Sequence, residues 1–459
     1  MKRINKLAII AALSLLCSAG AFAQSFRSGY FLDNYVYGYR INPAQINEKS
    51  FFALGLGNMD LQHNCTVGIS SFLFPTESGV VTGFNNAVSA EQFLGGIPNG
   101  MRISMNENIN LLSFGVRGKK SMHTFEVNVR ATAGMALPYD LFAFLKVGGD
   151  QPYDISGINL SADAVADVAY GFSTSINSRL RVGGRLHVLV GVADVKAYSA
   201  SSSITMGAAQ SELKTKLLLQ TSGMPSMGID ADGHLDPSQM AINGPYIGGY
   251  GAGLDLGAEY EPVPGLSIMA SVTELGAISR QNTTNLVADN TVTYQGADIT
   301  YQDGSVQADF KAVLEELMKA IVFEEGPAGR RLDWMPFNVA LGARYKMPFF
   351  KALSAGVLGT CHFEDVAPWW EVRGGLTLST RYLVSITGNA GYGTFGPTAG
   401  GALNLHLGPL NLLAGVDSFM GNLGRIGGIS GVPGIPAPLG GFAVNGHFGM
   451  TLTFGKFRD

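Results

Sequence analysis

The chain has 459 residues, 46% hydrophobic, 10% aromatic and only 14% charged. Charge this far below the roughly 25% of soluble domains, with so much apolar content, excludes a disordered chain, and the 61 glycines follow no Gly-X-Y repeat, which excludes collagen. The 31 basic and 35 acidic residues leave a net charge of −4 with no basic block, so no nucleic-acid partner is expected.

Residues 1–23 read as a secretory signal peptide. Lys2, Arg3 and Lys6 supply its positive start, Leu7 to Leu16 its apolar core, and Ala21-Phe22-Ala23 the cleavage site. An uncleaved anchor is disfavoured because the apolar run is too short to span. A lipoprotein at Cys17 is disfavoured because Leu15 and Leu16 precede it in place of small residues. Cleavage leaves 28 basic against 35 acidic residues, net −7, and two cysteines, Cys65 and Cys361. In an oxidising compartment these pair or remain two thiols. No later stretch holds 18 apolar residues in a row, which leaves a secreted soluble protein or a barrel in the outer membrane of a Gram-negative cell.

Residues 24–48 carry the aromatics Tyr30, Phe31, Tyr35, Tyr37 and Tyr39, then Asn42-Pro43-Ala44. Pro43 forbids a central strand, and the aromatics need cover. The expectation is an N-terminal plug inside a lumen; the alternative is a periplasmic arm ordered by a partner.

Residues 49–459 are expected to form the barrel. From Phe125 to Leu137 every odd position is apolar, with Glu126, Asn128, Arg130 and Thr132 between. Leu180–Val192, Phe337–Lys346 and Phe442–Phe454 repeat the alternation. Such runs are strands with one apolar and one polar face, and their length suits a tilted transmembrane strand of about 9–11 residues. Strands are placed near 51–73, 109–117, 123–137, 161–176, 180–196, 246–260, 265–275, 335–346, 353–363, 368–380, 382–393, 397–407, 409–418 and 441–455. Long polar segments fall at 74–108, 138–160, 197–245, 276–334 and 419–440. The expected fold is therefore all-β, an antiparallel transmembrane barrel of about fourteen strands. The first strand and the 197–245 region decide whether the count becomes twelve or sixteen. An even count puts both termini and the short turns in the periplasm. A large soluble sandwich or propeller would also alternate, but would not need strands this long.

Two loop segments stand apart. Within 306–323, Phe310, Val313, Leu314, Leu317, Met318 and Ile321 follow helical spacing. This predicts an amphipathic helix whose apolar face, Phe310, Leu314, Leu317 and Ile321, caps the mouth, lines a groove for an apolar ligand, or docks a partner. Residues 421–441 are Gly- and Pro-rich, a mobile external loop or a lid in the lumen.

The signal peptide, the early Asn42-Pro43-Ala44, the hairpin Ala169-Tyr170-Gly171-Phe172-Ser173 to Leu180-Arg181-Val182-Gly183-Gly184 and the ending Gly446 to Lys456 resemble FadL-type long-chain fatty-acid transporters. They resemble more closely an outer-membrane family of Bacteroidetes, of unassigned function, related to the PorP/SprF barrels of type IX secretion and gliding. The resemblance implies a fourteen-stranded barrel with an N-terminal plug. FadL-type members move hydrophobic molecules; PorP/SprF-like members serve secretion or surface machinery. The chain departs from the pattern by ending Lys456-Phe457-Arg458-Asp459, past the last aromatic of the terminal strand.

Enzyme motifs are absent: no H-E-x-x-H, no G-x-S-x-G and no Walker loop. Neither an enzyme nor a cofactor is expected. Cys361-His362-x-Glu364-Asp365 reads as polar residues at a strand end rather than a metal site, and Asp230-x-Asp232-Gly233 departs from calcium-loop spacing. The polar faces of the strands place Arg130, Arg181, Arg185, His187, Arg373 and His447 toward the lumen. There they form an ion-paired network holding the plug, or a polar path with an anionic-headgroup site around Arg181, Arg185 and Arg373. The expected function is passage of small hydrophobic molecules across outer-membrane lipid. The alternative is a structural barrel of a secretion or surface protein complex.

Overall fold

The computed structural model describes residues 26–455, except 56, 77–78, 207–210, 237–240, 243–246, 295–299, 303–304, 308–320, 381–382, 419–422, 427–434 and 439–440. The predicted signal peptide lies outside these residues, as do Phe310, Leu314 and Leu317 of the predicted helix.

The fold is a closed antiparallel barrel. We number its wall strands β1 (Ser50–Leu54), β2 (Met59–Cys65), β3 (Met101–Arg117), β4 (Ser121–Leu137), β5 (Asn159–Ser175), β6 (Leu180–Met206), β7 (Ser211–Gly223) and β8 (Gly249–Val263). Then follow β9 (Leu266–Tyr294), β10 (Phe337–Lys346), β11 (Leu353–Phe363), β12 (Trp369–Ser379), β13 (Val384–Gly393), β14 (Gly396–Leu407), β15 (Leu410–Ser418) and β16 (Phe442–Phe454). Most strands pair with their neighbours in sequence, and the ring closes where β1 and β2 both lie between β16 and β3. Closure leaves no edge to satisfy.

The sixteen strands correct the expected fourteen, and both additions arise where the wall is interrupted. The first predicted strand, 51–73, is two strands end to end between the same neighbours. β7, in a segment read as loop, pairs with the upper parts of β6 and β9, whose lower parts pair with β8. Strands β6 and β9 run 27 and 29 residues, well past the expected ends at 196 and 275. Their far halves, such as Ser201–Ser203 and Thr283–Asn285, are polar on both faces, so the alternation fades while the backbone ladder continues. Likewise β3 starts at Met101 rather than 109, because Glu107 interrupts its apolar face.

Facing follows the pleat. Leu186, Val188, Leu256 and Leu341 point out and are exposed, while Asn128, Arg185, His187 and Asp255 between them point in and are buried. The two largest apolar clusters among the described residues occupy the interior. One gathers the N-terminal aromatics, Phe31, Tyr35, Tyr37 and Tyr39 among them, against Phe51, Met269 and Leu358 of the wall. The other closes over the long-loop end, where helices α1 (Ala90–Gly95) and α2 (Tyr139–Val147) pack Phe93, Phe142 and Phe144 on Phe74, Ile204 and Phe442. Both helices lie in segments read as polar loops. They are short, and Ser89 caps α1 through the Gln92 N–H at 3.1 Å.

Most of the predicted 306–323 helix, residues 308–320, lies outside the described residues. Val306 lies in a hairpin strand, Ser305–Gln307, and Ile321–Phe323 carry no helix. Ile321 packs against the loop-end cluster and against a smaller one of Leu219, Leu286 and Phe323. In the Gly/Pro-rich segment, Leu423–Ile426 pairs with Ile435–Pro438. Cys65 is buried and Cys361 exposed, and no disulfide joins them, so the disulfide alternative does not hold.

Candidate functional site

The N-terminal segment lies inside the ring and is tied to it on every side. It has no long element of its own, only two 3-10 turns, Arg27–Tyr30 and Gly38–Arg40. Its few charges therefore carry its attachment. The Arg27 and Ser28 N–H groups donate to the Asp417 carboxylate at 2.8 and 2.6 Å, and the Arg27 guanidinium reaches Glu371 at 3.2 Å. Asp33 meets Arg344 on β10. Arg40 donates to Glu126 at 3.0 Å, Asp60 at 3.0 Å and Asn128 at 2.8 Å. The Tyr39 hydroxyl donates to Glu126 at 2.7 Å; burial pushes its pKa well above the ordinary value, which keeps it a donor. These partners sit on β2, β4, β10, β12 and β15.

The predicted lumen residues fall into separate groups. Arg185, His187 and Arg130 join one chain of charges. Arg185 bridges Glu126 (2.5 Å) and Asp255 (2.9 Å), His187 bridges Asp167 (2.9 Å) and Asp255 (3.1 Å), and Arg130 reaches Asp167 (3.5 Å) and Glu274 (3.0 Å). Glu274 is aimed inward by a bulge: the Asp255 carboxylate accepts its N–H at 2.5 Å, and it sits at φ 68°. His447 joins through Asp60, which it shares with Arg40. Arg373 belongs to a second group with Glu371, beside Arg27. Arg181 stands apart, paired with Glu259 at 2.7 Å and about a third exposed. Arg181, Arg185 and Arg373 thus do not meet. Each already pairs with carboxylates of its own group, and the three do not form one basic cluster. Arg27 and Arg40 were not singled out by sequence, although two lone arginines in an aromatic segment require partners.

Asn42, Pro43 and Ala44 press on the wall from inside. The Asn42 amide donates to the Ala258 carbonyl at 3.3 Å, and Ser271 donates to the Ile41 carbonyl at 2.7 Å. A side chain on Gly183 would overlap the Pro43 carbonyl, and one on Gly257 would overlap Asn42 and Pro43. Outside the same patch of wall lies an apolar groove of about 610 Å³. Its floor is small, with Gly184, Ala258 and Ala270, and its rim is Phe172, Leu256 and Leu341. Register places these side by side: Gly184 opposite Leu256 and Phe172, Ala258 opposite Ala270, Ala270 opposite Leu341. Between the groove and the N-terminal segment there is little more than backbone.

Among the described residues no group of His, Cys, Asp and Glu is placed to hold a metal ion. Asp230 instead uses its carboxylate on the Asp232 and His234 N–H groups of its own turn, at 3.0 and 2.9 Å.

A family profile matches residues 43–417. The chain belongs to the family of unknown function DUF5723. No curated protein matches it. Among solved structures, this DUF5723 chain is similar to the Pseudomonas putida toluene transporter TodX, at 9% identity over 92% of this chain and 95% of that one, TM-score 0.40. It is similar also to a Pseudomonas aeruginosa FadL homologue, at 10% identity over 95% and 96%, TM-score 0.39. A TodX deltaS2 mutant, a monoaromatic hydrocarbon channel, superposes at TM-score 0.44 with 9% identity, over 95% and 96% of the chains. At these identities and scores the likeness does not bear on what the DUF5723 chain carries.

Proposed function

We propose that the chain is an outer-membrane β-barrel through which small hydrophobic molecules pass, with residues 24–48 as its plug. The observation that carries this is the apolar groove on the outer face, backed through glycine by Asn42 and Pro43. An apolar molecule at that point is one strand's thickness from the lumen, and the groove faces the side where lipid would lie. The belt of outward Leu and Val, with polar groups inward, supports membrane insertion. The exposed Phe349 and Phe350 at the short-turn end, and Trp334 and Trp370 toward the other, fit the aromatic girdles of such barrels. The charge network then holds the plug in a closed resting state.

The tall β6–β9 side favours a second reading, a PorP/SprF-like accessory barrel, because strands of 27 and 29 residues rise beyond the rest of the wall as a surface for a partner. Uptake separates the two. Cells producing the protein are exposed to the neutral apolar dye N-phenyl-1-naphthylamine, with Ala258→Trp filling the groove from outside. Passage predicts faster dye entry with the wild type and a loss with Ala258→Trp, while heat-modifiable migration shows an assembled barrel. Equal entry with and without the protein would favour the accessory reading.

A further inference from the structure

A second recess, of about 590 Å³, opens through the wall near the loop end. The short strand Gly329–Trp334 pairs with β9 on one side. β11 ends at Phe363, opposite Phe337, so above that point the other edge of the short strand faces no strand among the described residues. The recess lies in this notch. Its outer lip is aromatic, with Trp334 71% exposed and Phe337 stacked on Phe363 at 4.7 Å. Its inner end is ionic: Arg280, Arg331 and Lys196 face Asp163, Asp194 and Asp333. Glu364 and Asp365 on the β11–β12 connection add two more carboxylates.

The charges do not balance: five carboxylates line the recess against three cations. The cations are already engaged. Arg280 reaches Asp163 at 2.6 Å and Asp333 at 3.4 Å, Arg331 reaches Asp333 at 2.7 Å and also Asp194, and Lys196 reaches Asp333 at 3.3 Å and Asp365 at 3.8 Å. Two acceptors are left over. Asp194, 1% exposed, has an Oδ1 with no hydrogen bond and the Arg280 guanidinium no nearer than 4.0 Å, and the Oε1 of Glu364, which meets His362 at 3.5 Å through its other oxygen, also lacks a hydrogen bond. The Nη1 atoms of Arg280 and Arg331 also lack hydrogen bonds. Each guanidinium is flanked by two or more carboxylates, however, so an anion there would meet more negative charge than positive. A buried carboxylate oxygen without a partner is costly, and a cation satisfies it. The aromatic lip favours the same charge, because ring faces attract cations.

We propose that this notch binds an organic cation carrying an aromatic or apolar tail, the ammonium head toward Asp194 and Glu364 and the tail against Trp334 and Phe363. This rests on the barrel as a passage for apolar molecules and names the head group they carry.

The test is calorimetric titration of the full chain in nanodiscs with three probes of one length: 3-phenylpropylammonium, 3-phenylpropionate and 3-phenylpropanol. The cation is expected to bind at least about tenfold tighter than the other two, one such step being the loss of a single good contact. Glu364→Gln and Asp194→Asn are each expected to weaken it by about tenfold. Trp334→Leu should abolish quenching of tryptophan fluorescence by the cation. Anion or alcohol binding as tight as the cation overturns the proposal, as does unchanged cation affinity in Glu364→Gln. If Asp194→Asn fails to assemble, Glu364→Gln and the wild-type probe series still decide. The passage reading is scored separately, since Ala258→Trp acts on dye entry at a different face of the wall. Dye entry lost in Ala258→Trp with no preference for the cation would sink this inference and leave passage standing. A preference for the cation with no dye entry would do the reverse.

Discussion

Pro43 of the N-terminal segment rests on Gly183 of β6, closely enough that no side chain fits at Gly183. One position along, Gly184 points the other way, and a methyl there would meet only the Asp255 carbonyl at 3.3 Å and Leu256 at 3.6 Å. Gly183→Ala is therefore expected to displace Asn42–Ala44 and cost about 1–3 kcal/mol by overpacking. Gly184→Ala should leave stability close to the wild type. The temperature at which heat-modifiable migration is lost measures both. Equal transitions for the two variants would mean that the segment does not press on the wall.

How far the sequence reaches is visible at the same contact. The alternation around Phe125–Leu137 and Leu180–Val192 gives the inward and outward faces residue by residue, because one face sees apolar surroundings and the other polar. Where both faces are polar, as at Ser201–Ser203 on β6, that signal is lost and the strand is read as loop. The split of the first strand at Gly55–Asn58 has the same root: a break in pairing leaves the hydropathy period intact. At the site, sequence supplies the charges of the lumen but not their partners. Arg185 and Arg373 look like one basic patch on paper, yet they stand on β6 and β12, each beside its own carboxylate. Pairing of that kind depends on how the sheet closes, which no local pattern records. The notch beside Trp334 is invisible for the same reason, since it is a difference in length between neighbouring strands.

Arg40 is the firmest anchor of the N-terminal segment, with Asp60, Glu126 and Asn128 around one guanidinium. Removing one member of a buried ion pair leaves the other uncompensated, at about 3–5 kcal/mol. Arg40→Met is expected to loosen the segment while the ring stays closed by its backbone ladder. In planar bilayers the variant should conduct ions where the wild type is silent. An assembled but silent Arg40→Met would show that residues 24–48 do not block the lumen.

Asp33 offers a pH test away from the wall strands. Burial works against its ionised form, but Arg344 and then Lys346 outweigh this and hold its pKa below the ordinary 3.8. A depressed carboxylate stabilises the folded state fully above its unfolded value and ceases to do so as the pH falls through its folded one. Wild type should therefore outlast Asp33→Asn at neutral pH, and the gap should close on acidification below about pH 3.8. A gap that widens toward acid would reverse the sign of the interaction. The measurement is the thermal transition of both proteins across that range.

The outward apolar belt makes a prediction about assembly. Leu186 and Val127 point away from the lumen on β6 and β4, Leu186 64% exposed. An arginine near the middle of such a belt costs about 2–4 kcal/mol in a bilayer. Leu186→Arg and Val127→Arg should each lower the assembled fraction recovered from outer membranes. Val80→Arg serves as the control. Val80 is also exposed, but it lies on the hairpin Leu73–Thr82, outside the ring, where an arginine stays in water and costs little. Asn128→Arg would be a poor control, because Asn128 points inward and accepts from Arg40 at 2.8 Å; a second guanidinium there would repel the first. Equal recovery of Leu186→Arg and Val80→Arg would place the outward face in water and remove the membrane from the account.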